Sequence, residues 1–251
     1  MHWKQAIYQS YVSSGHVAER ENLQAQLRGR VPFLRSLIRR LFPHDKNARI
    51  LDVGCGHGAL VHVLRECGYR NVVGIDGSPE QVDLAGRLGI EGVQFGEAFP
   101  YLQALPAGSF DVLCFFDVLE HLDRQELYDW LVQASRVLSP AGCCIGHVPN
   151  ASGLFSMGIR YGDLTHELAF TESSLRQIFR TLGFTQVRCC EDRPVVHGIT
   201  SLTRRVLWEA GSLPFRILYA AETSRLHAIL SQNLSFIAMK RLPGPSLLGN
   251  R

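Results

Sequence analysis

Residues 49–60, RILDVGCGHGAL, decide the fold prediction. A short apolar run ends around Asp52, and a loop with Gly54, Gly56 and Gly58 follows before the next apolar segment. A strand, a glycine-rich turn and a helix in this order form the ligand-binding unit of parallel α/β sheets, because backbone N–H groups at the turn can approach a ligand closely. The stretch therefore predicts an α/β protein with a ligand at the end of its first strand.

Short apolar runs alternate with amphipathic segments along the rest of the chain. Helix starts are indicated at Ser78 with Pro79 behind it, at Asp123 and at Thr171. Seven strands are predicted, at 49–53, 71–75, 92–95, 110–116, 143–148, 184–190 and 234–239. The alternation predicts one α/β domain, 1–251, built on a doubly wound sheet with helices on both faces.

Two segments depart from this alternation. An amphipathic helix is predicted for 21–41, interrupted near Pro32, and two helices are predicted before the last strand, the second starting near Pro214. We expect the first segment to cap the domain and the second to cover the site. The predicted divisions are an N-terminal helical cap, a cofactor-binding core, a helical insertion, and the last strand with a loose tail: 1–45, 46–192, 193–233 and 234–251.

Composition and charge exclude several classes of protein. The 251 residues carry a formal net charge of +3, and no basic stripe with interleaved aromatic residues is present, so a nucleic-acid partner is not expected. The seven cysteines include no CxxC spacing, which argues against a zinc site and a disulfide framework. The N-terminus lacks the apolar segment of a secretory signal, and no apolar run reaches about 18 residues. We expect a cytoplasmic protein without a transmembrane segment, and a peripheral membrane contact is left open.

Asp52 decides between the two ligands that the glycine loop could hold. The loop spacing fits both a GxGxG pattern and the GxGxxG/A pattern of dinucleotide sites. A carboxylate about 4 Å from a pyrophosphate would repel it by roughly 1 to 4 kcal/mol, depending on the local dielectric. A ligand with an ammonium and a sulfonium would be attracted, which favours S-adenosylmethionine, with S-adenosylhomocysteine as its product, over NAD.

Acidic residues also follow the second and third predicted strands. Asp76 could accept hydrogen bonds from both ribose hydroxyls, as in adenosyl and NAD sites alike. Glu97 could accept the adenine amino hydrogen while Phe99 stacks on the ring, although a solvated loop acid beside a core Phe remains an open alternative. The residues predicted to bind the cofactor are Asp52, Gly54, Cys55, Gly56, Gly58, Asp76, Gly77, Glu97, Ala98, Asp117 and Val118.

Four stretches in this order, RILDVGCGHGAL, VVGIDGSPEQV, FDVLCFFDVLEHL and LSPAGCCIGHVPN, resemble the class I S-adenosylmethionine-dependent methyltransferases. The resemblance covers roughly 46–192, with 234–239 as the final strand. It implies a Rossmann-like, mostly parallel seven-stranded sheet with an antiparallel last strand, a cofactor at the carboxyl ends of the strands, and methyl transfer. The stretch YGDLTHELAFTESSL looks like the corresponding segment of the small-molecule and glycan subgroup, which implies such an acceptor.

Methyl transfer to a hydroxyl requires a positioned acceptor and removal of its proton. The base candidates are Asp117 and His121, which follow the fourth strand, and His166 in a later loop. Of these, His166 is the predicted general base, with Asp163 as a neighbouring carboxylate that orients the imidazole. For His121, the alternative to acting as a base is a structural or cofactor-lining role. No second close acidic pair accompanies these residues, so no metal is expected.

Motifs that the sequence lacks reduce the range of possible methyl acceptors. The fourth strand ends without an NPPY-type motif, which disfavours methylation of amino groups on bases or glutamine, and no Pro-Cys pair is present for cytosine chemistry. A hydroxyl on a small molecule or a sugar is therefore the leading acceptor. Two other function classes stay open: a non-catalytic S-adenosylmethionine-binding regulatory module, and an NAD-linked oxidoreductase supported only by the GxGxxA match. The oligomeric state is also left open.

Overall fold

The computed structural model describes residues 3, 4, 7 and 23–240, and of residues 23–28 the backbone only. The predicted tail from 241 onward and the remainder of the first 22 residues lie outside the described part of the chain. One helix lies within the predicted cap, 1–45, and one lies within the predicted insertion, 193–233. The boundaries of the predicted divisions stay predictions. No helix among the described residues combines the length and the apolar character that a membrane span requires.

A seven-stranded sheet forms the centre of the described chain. Its strands are β1 Arg49–Val53, β2 Asn71–Asp76, β3 Val93–Phe95, β4 Phe110–Phe116, β5 Leu138–Pro149, β6 Phe184–Glu191 and β7 Asn233–Lys240. The order across the sheet is β3-β2-β1-β4-β5-β7-β6. Neighbours pair in parallel, except that β7 runs antiparallel to both β5 and β6. This arrangement confirms the predicted fold, although β5 begins five residues before the predicted start.

Helices pack on both faces of this sheet. They are α1 Leu23–Leu41, α2 Ala59–Glu66, α3 Pro79–Arg87, α4 Ala98–Ala104, α5 Arg124–Val137, α6 Ser156–Arg160, α7 Glu172–Thr181 and α8 Ile199–Thr223, and a 3₁₀ turn lies at Leu119–His121. Consecutive strand residues alternate between two buried clusters: Leu51 belongs to one and Ile50 to the other. Because side chains alternate across a strand, the two clusters are the cores of the two faces.

The three predicted helix starts are confirmed. Ser78 caps α3 by accepting a hydrogen bond from the backbone of the first turn, with a proline at the first helical position. Asp123 and Glu126 form a reciprocal capping box at α5, and Thr171 forms one with Ser174 at α7. Each cap satisfies backbone N–H groups that a helix leaves without partners, so local sequence determines where these helices begin.

The predicted interruption of the N-terminal helix near Pro32 is wrong, because α1 continues through that residue. A proline inside a helix costs about 3 kcal/mol. The same helix buries Leu34, Leu37, Ile38 and Leu41 in the second cluster, and each fully buried side chain of this size contributes roughly 1.5 to 3 kcal/mol. Burial after the proline, where all four of these side chains lie, therefore outweighs the break.

The predicted division of the insertion into two helices is also wrong, because α8 runs as one helix through Pro214. Ion pairs hold the helix on both sides of this residue. Before it, Arg205 pairs with Glu209 at 2.7 Å, and after it Arg216 pairs with Glu191 of β6 at 2.7 Å. The first pair lies within the helix and the second ties the part after Pro214 to the sheet, whereas the sequence pattern alone shows a proline between two apolar segments.

Candidate active site

The candidate site lies where the chain changes direction across the sheet. From β1 the chain builds outward to β2 and β3, and then returns to place β4 on the other side of β1. Ligands of open α/β sheets bind at the carboxyl ends of the strands at such a point. Asp52 and Gly54 lie at the end of β1, Asp117 and Val118 follow β4, and Asp76 ends β2. The topology therefore brings together predicted cofactor residues from three strands.

The glycine loop has a conformation that other residues adopt with strain. Gly54, Gly56 and Gly58 have φ angles of 69°, 55° and 81°. A Cβ on Gly54 would lie 2.6 Å from a methyl carbon of Val118, and one on Gly58 would lie 2.5 Å from a methyl carbon of Val93. Glycine is thus required at two of these positions by close packing as well as by backbone angle.

Asp76 holds the glycine loop in place. Its Oδ2 accepts a hydrogen bond from the backbone N–H of Gly56 at 2.7 Å, and its Oδ1 accepts one from the backbone N–H of Ser78 at 2.8 Å. Burial, opposed by these two hydrogen bonds, raises the pKa of Asp76. Each carboxylate oxygen keeps a second lone pair that could accept from a ribose hydroxyl. Asp76 therefore fixes the loop, and its predicted contact with the ribose stays a prediction.

Asp52 is a buried carboxylate with an unsatisfied oxygen. Only 1% of the residue is exposed, and its Oδ1 has no hydrogen-bond partner within the described chain. Burial and the neighbouring charge of Asp76 raise the pKa of Asp52 to about 8, and Arg30 acts in the opposite direction. A buried group of this kind is costly without a partner. A cationic ligand at this strand end would supply one, as the sequence predicts.

Asp117 lies in a charged network that runs through the sheet. Its backbone is left-handed, with a φ of 56°, and its carboxylate accepts hydrogen bonds from Arg30 of α1 at 3.1 Å and from Nδ1 of His147 on β5. The other ring nitrogen of His147 lies 2.7 Å from a carboxylate oxygen of Asp192. Burial disfavours both charges, but the pairing holds the pKa of Asp117 well below its usual range and raises that of His147. The imidazole is therefore a buried cation between two carboxylates.

Cys55 turns its side chain into the fold. A Cβ on Gly74 of β2 would lie 2.6 Å from the Cys55 sulfur, so the thiol fills the space beside that glycine. Burial raises the pKa of the thiol far above its usual value, which makes it inert. Its backbone N–H donates to the carbonyl of Ile75 at 3.1 Å. The predicted cofactor contact of Cys55 stays a prediction, beside a clear packing role for its side chain.

The predicted adenine-contacting residues lie beyond β3. Glu97 is exposed and caps α4, whose first residue is Ala98, and its carboxylate oxygens lie 3.8 Å from the position of a Cβ on Gly77. Phe99 instead stacks on Trp130 of α5, with ring centroids 5.9 Å apart and planes inclined by 15°. Phe99 thus stacks on a protein ring, which favours the alternative that it is a core residue. Glu97 stays a candidate for the contact with adenine.

His121 belongs to a second group of polar residues beside the first. Its Nδ1 lies 2.7 Å from the hydroxyl of Thr165, which in turn donates to Oδ1 of Asp163 at 2.6 Å. Because the hydroxyl has a single hydrogen, it accepts from His121, so Nδ1 of this ring carries the hydrogen and Nε2 the lone pair. Burial, together with His166, lowers the pKa of His121 to about 4, so the ring is neutral near pH 7.

His166 is half-buried and faces the edge of His121, with ring centroids 4.6 Å apart. Its Nδ1 lies 2.9 Å from the carbonyl oxygen of Ile159. A carbonyl only accepts, so Nδ1 carries the hydrogen and Nε2 is available to take a proton. A main-chain carbonyl at the end of α6 bonds Nδ1 of this ring, and Asp163 bonds Thr165, so the orienting role of Asp163 stays a prediction. Arg160 donates to the carbonyls of His166 and Glu167 and fixes the same loop.

Glu120 completes this group. Only 1% of it is exposed, and in the described structure its Oε2 has no hydrogen-bond partner. Burial and the charge of Asp117 raise its pKa well above the usual value. One ligand atom from each of Glu120, His121 and His166 lies within 4.8 Å of the others, a separation that could hold a divalent cation. The expectation of no metal at the site therefore stays a prediction that needs a chelation test.

Sequence reasoning did not find four of the residues that build the site. Arg30, Glu120, His147 and Thr165 each contact a predicted site residue or lie beside one. For His147 a signal exists, because it is the only polar side chain in the apolar run CCIGHV and a buried strand rarely contains an unpaired imidazole. The helix position of Arg30 offers no such signal.

The fold and the glycine loop with its buried aspartate define a nucleoside-binding α/β protein, and comparison with known proteins gives its family. The sequence profile described as "Methyltransferase domain" matches residues 23–188. The chain therefore belongs to this family, within the class I S-adenosylmethionine-dependent methyltransferases. This membership confirms the class and the cofactor predicted from the sequence.

Three similar proteins were compared with the chain. An uncharacterized methyltransferase of Schizosaccharomyces pombe is 31% identical over 180 residues, which are 70% of this chain and 62% of that protein. A ubiquinone biosynthesis O-methyltransferase of Xanthomonas oryzae is 33% identical over 123 residues, 45% of this chain and 50% of that protein. The crystal structure of an S-adenosylmethionine-dependent methyltransferase from Archaeoglobus fulgidus has a TM-score of 0.62 at 25% identity, covering 86% of this chain and 96% of that one. The chain thus spans one half to two thirds of its two curated relatives.

Proposed function

We propose that the chain binds S-adenosylmethionine at the β1 and β4 ends and transfers a methyl group to a hydroxyl of a small molecule or a glycan precursor. The observation that carries the proposal is a pair of imidazoles fixed by hydrogen bonds, of which His121 is near enough to Asp117, the residue after β4, for that charge to act on it. His166 is oriented by the Ile159 carbonyl with Nε2 as a proton acceptor, and it lies next to a neutral His121 only four residues beyond Asp117.

The cofactor-holding residues fit a cationic adenosyl ligand. Among the described residues, Asp52 has a buried oxygen without a partner, and Gly54 and Gly58 pack too closely against Val118 and Val93 for a side chain, which fixes the course of the loop. In the proposed complex Asp52 faces the ammonium end, the glycine loop lies along the chain of the ligand, and Asp76 and Glu97 face the ribose and adenine. When bound there, S-adenosylmethionine supplies a methyl group already activated by the sulfonium, so the protein mainly positions the acceptor.

The acceptor's proton is the remaining chemical requirement. We assign its removal to Nε2 of His166, because its Nδ1 is fixed as a donor and its protonated form would remain hydrogen-bonded to Ile159. Asp163 accepts a hydrogen bond from the Thr165 hydroxyl, which in turn bonds Nδ1 of His121. Asp163 and Thr165 are therefore positioning residues, and they keep the ring of His121 in one tautomer. The likeness to an O-methyltransferase of ubiquinone biosynthesis supports a hydroxyl as the accepting group.

Two measurements test this proposal in sequence. Calorimetry with S-adenosylmethionine, S-adenosylhomocysteine and NAD should show binding of the two adenosyl ligands and none of NAD. A panel of phenolic, catecholic and sugar hydroxyl acceptors, with release of S-adenosylhomocysteine as the readout, should then show turnover with at least one class. Binding without transfer to any hydroxyl, together with transfer to an amine, would overturn the O-methyl assignment.

A further inference from the structure

Helix α8 exposes its apolar side and turns its polar side toward the domain, which is the reverse of the usual arrangement. Its large aliphatic side chains that are at least half exposed are Ile199, Leu202, Val206, Leu207, Leu213, Ile217 and Leu218. At 3.6 residues per turn these side chains fall within an arc of roughly 160°. None of the five charged residues of the helix lies within that arc. The helix therefore presents an uncharged, mostly apolar stripe to the outside.

The opposite side of α8 attaches it to the domain through polar groups. Ser201 and Ser212 are its two buried residues. Arg205 donates to the carbonyl of Pro194 at 3.3 Å, and Arg216 pairs with Glu191. A helix on a protein surface normally buries its apolar stripe and exposes its polar one. Because α8 does the opposite, its outer stripe requires a partner that is itself apolar.

Charge indicates what that partner is. Residues 193–230 contain five arginines, no lysine, two glutamates and no aspartate. Arg193, Arg205 and Arg216 are paired with Glu191 or Glu209, so within the described chain the unpaired positive charge is that of the other two arginines. Arg204 and Arg225 are exposed, one within the helix and one just beyond its end. An apolar stripe with arginines beside it is the composition of helices that lie in the interface of anionic membranes.

The area of the stripe argues against a second copy of the chain as the partner. The helix has 25 residues, and it is therefore about 37 Å long, so a stripe about 10 Å wide covers on the order of 400 Å². Two copies paired along α8 alone would bury about 800 Å² in total, below the roughly 1,200 Å² of specific stable interfaces, so a dimer would need further contacts outside the helix. A bilayer has no such minimum, because binding strength follows the apolar area inserted plus the charge attraction.

A second exposed apolar group lies in the segment that leads to His166. Phe155, Met157, Tyr161 and Leu164 are each more than 60% exposed. Their segment is hydrogen-bonded to the one that follows α8, through Leu154 and the carbonyl of Leu230 at 2.9 Å. The same segment ends at His166. We propose that α8 and residues 155–164 bind the surface of an anionic lipid bilayer, which holds the acceptor side of the site against the membrane.

Sedimentation of the full chain with lipid vesicles tests this proposal. Vesicles of phosphatidylcholine with phosphatidylglycerol should pull the protein down, and vesicles of phosphatidylcholine alone should do so less. Combining Val206→Glu, Leu213→Glu and Ile217→Glu should weaken binding at least about tenfold, because three inserted side chains become anionic. A control with the same change in charge combines Gln125→Glu, Tyr128→Glu and Gln177→Glu, three exposed positions on α5 and α7, and should bind like the unmodified chain.

Folding and self-association are measured in the same samples. All three α8 side chains are exposed, so both variants should keep the increase in Tm that S-adenosylhomocysteine gives the unmodified chain. The proposal is overturned if the unmodified chain does not sediment with anionic vesicles, or if the control variant loses binding to the same extent. It is equally overturned if light scattering finds a dimer that only the α8 variant dissociates, since the stripe would then be a subunit interface.

Discussion

The two sides of the candidate site hold their residues by different physical means. On the β1 and β2 side, backbone conformation does so: glycines with positive φ and Asp76 bonding to main-chain N–H groups fix the loop next to Asp52. On the other side, loops after β4 and β5 hold His121 and His166 through hydrogen bonds to Thr165 and to the Ile159 carbonyl. The first arrangement tolerates few residue types, whereas the second leaves the acceptor side free to vary.

Replacing His166 should have the largest effect and should separate the two sides most clearly. His166→Ala removes the proton acceptor, so kcat should fall by about 10²- to 10⁴-fold. Affinity for S-adenosylhomocysteine should stay unchanged, because no cofactor-holding residue is altered. Steady-state turnover with the best hydroxyl acceptor and calorimetry of the product measure the two quantities.

His197→Ala is the matched control, since this exposed histidine lies near the start of α8 with its Nδ1 near the Val195 carbonyl. It should leave kcat unchanged. A chelator added to the unmodified enzyme should also leave turnover intact if His166 acts as a base. Loss of turnover on chelation, restored by a divalent cation, would instead assign Glu120, His121 and His166 to a metal.

Removing the charge of Asp52 tests the cofactor side alone. Asp52→Asn should weaken binding of S-adenosylmethionine by about 10- to 100-fold, since a hydrogen bond to a charged group contributes roughly 1.5 to 3 kcal/mol. Asp111→Asn, which alters a surface pair with Arg49, should leave affinity unchanged. Equal affinity of the Asp52 variant and the unmodified chain would refute charge matching as the basis of recognition.

The pH dependence of cofactor binding should report the same carboxyl. Its pKa of about 8 lies far above that of an ordinary Asp, so a proton competes with the cationic ligand below that pH. Affinity should therefore rise by at most about tenfold per pH unit up to pH about 8 and then level off. Calorimetry in buffers of different ionisation enthalpy should show proton release over this range, and Asp52→Asn should abolish it.

Stability should change in the opposite direction in the ligand-free protein. A raised folded-state pKa means that the native chain binds more protons than the unfolded chain between pH about 4 and about 8. The Asp52 contribution therefore lowers the free energy of unfolding as pH rises across that range. Denaturant unfolding of the unmodified chain and of Asp52→Asn at several pH values isolates this contribution, and a parallel course for the two proteins would contradict it.

The contrast between the two sides also explains what the sequence could predict. Strand ends and glycines are local features, so Asp52, Gly54 and Gly58 could be assigned from a single stretch. The contact between His121 and Thr165 joins residues 44 apart, and that between Arg30 and Asp117 joins residues 87 apart. Such pairs depend on how loops and helices pack, which no local spacing encodes.

The helices show the same limit. Periodicity identified an amphipathic α1 and apolar segments in α8, but it could not weigh a proline against tertiary contacts, and both predicted breaks were wrong. Periodicity also shows that a stripe exists without showing which way it faces. The outward orientation of the α8 stripe follows from polar contacts such as Arg216 with Glu191, and these appear only in the folded chain.

The smallest effect is expected at Glu97 and decides between the two readings of that residue. Glu97→Gln keeps the size of the side chain but weakens an acceptor for the adenine amino group. Because Glu97 is exposed, the hydrogen bond is worth only about 0.5 to 1 kcal/mol, so affinity for S-adenosylhomocysteine should fall about two- to fivefold. Glu91→Gln makes the same charge change at an exposed acid before β3. If the two variants bind equally well, Glu97 is a solvated loop acid, and the cofactor side ends at Asp76.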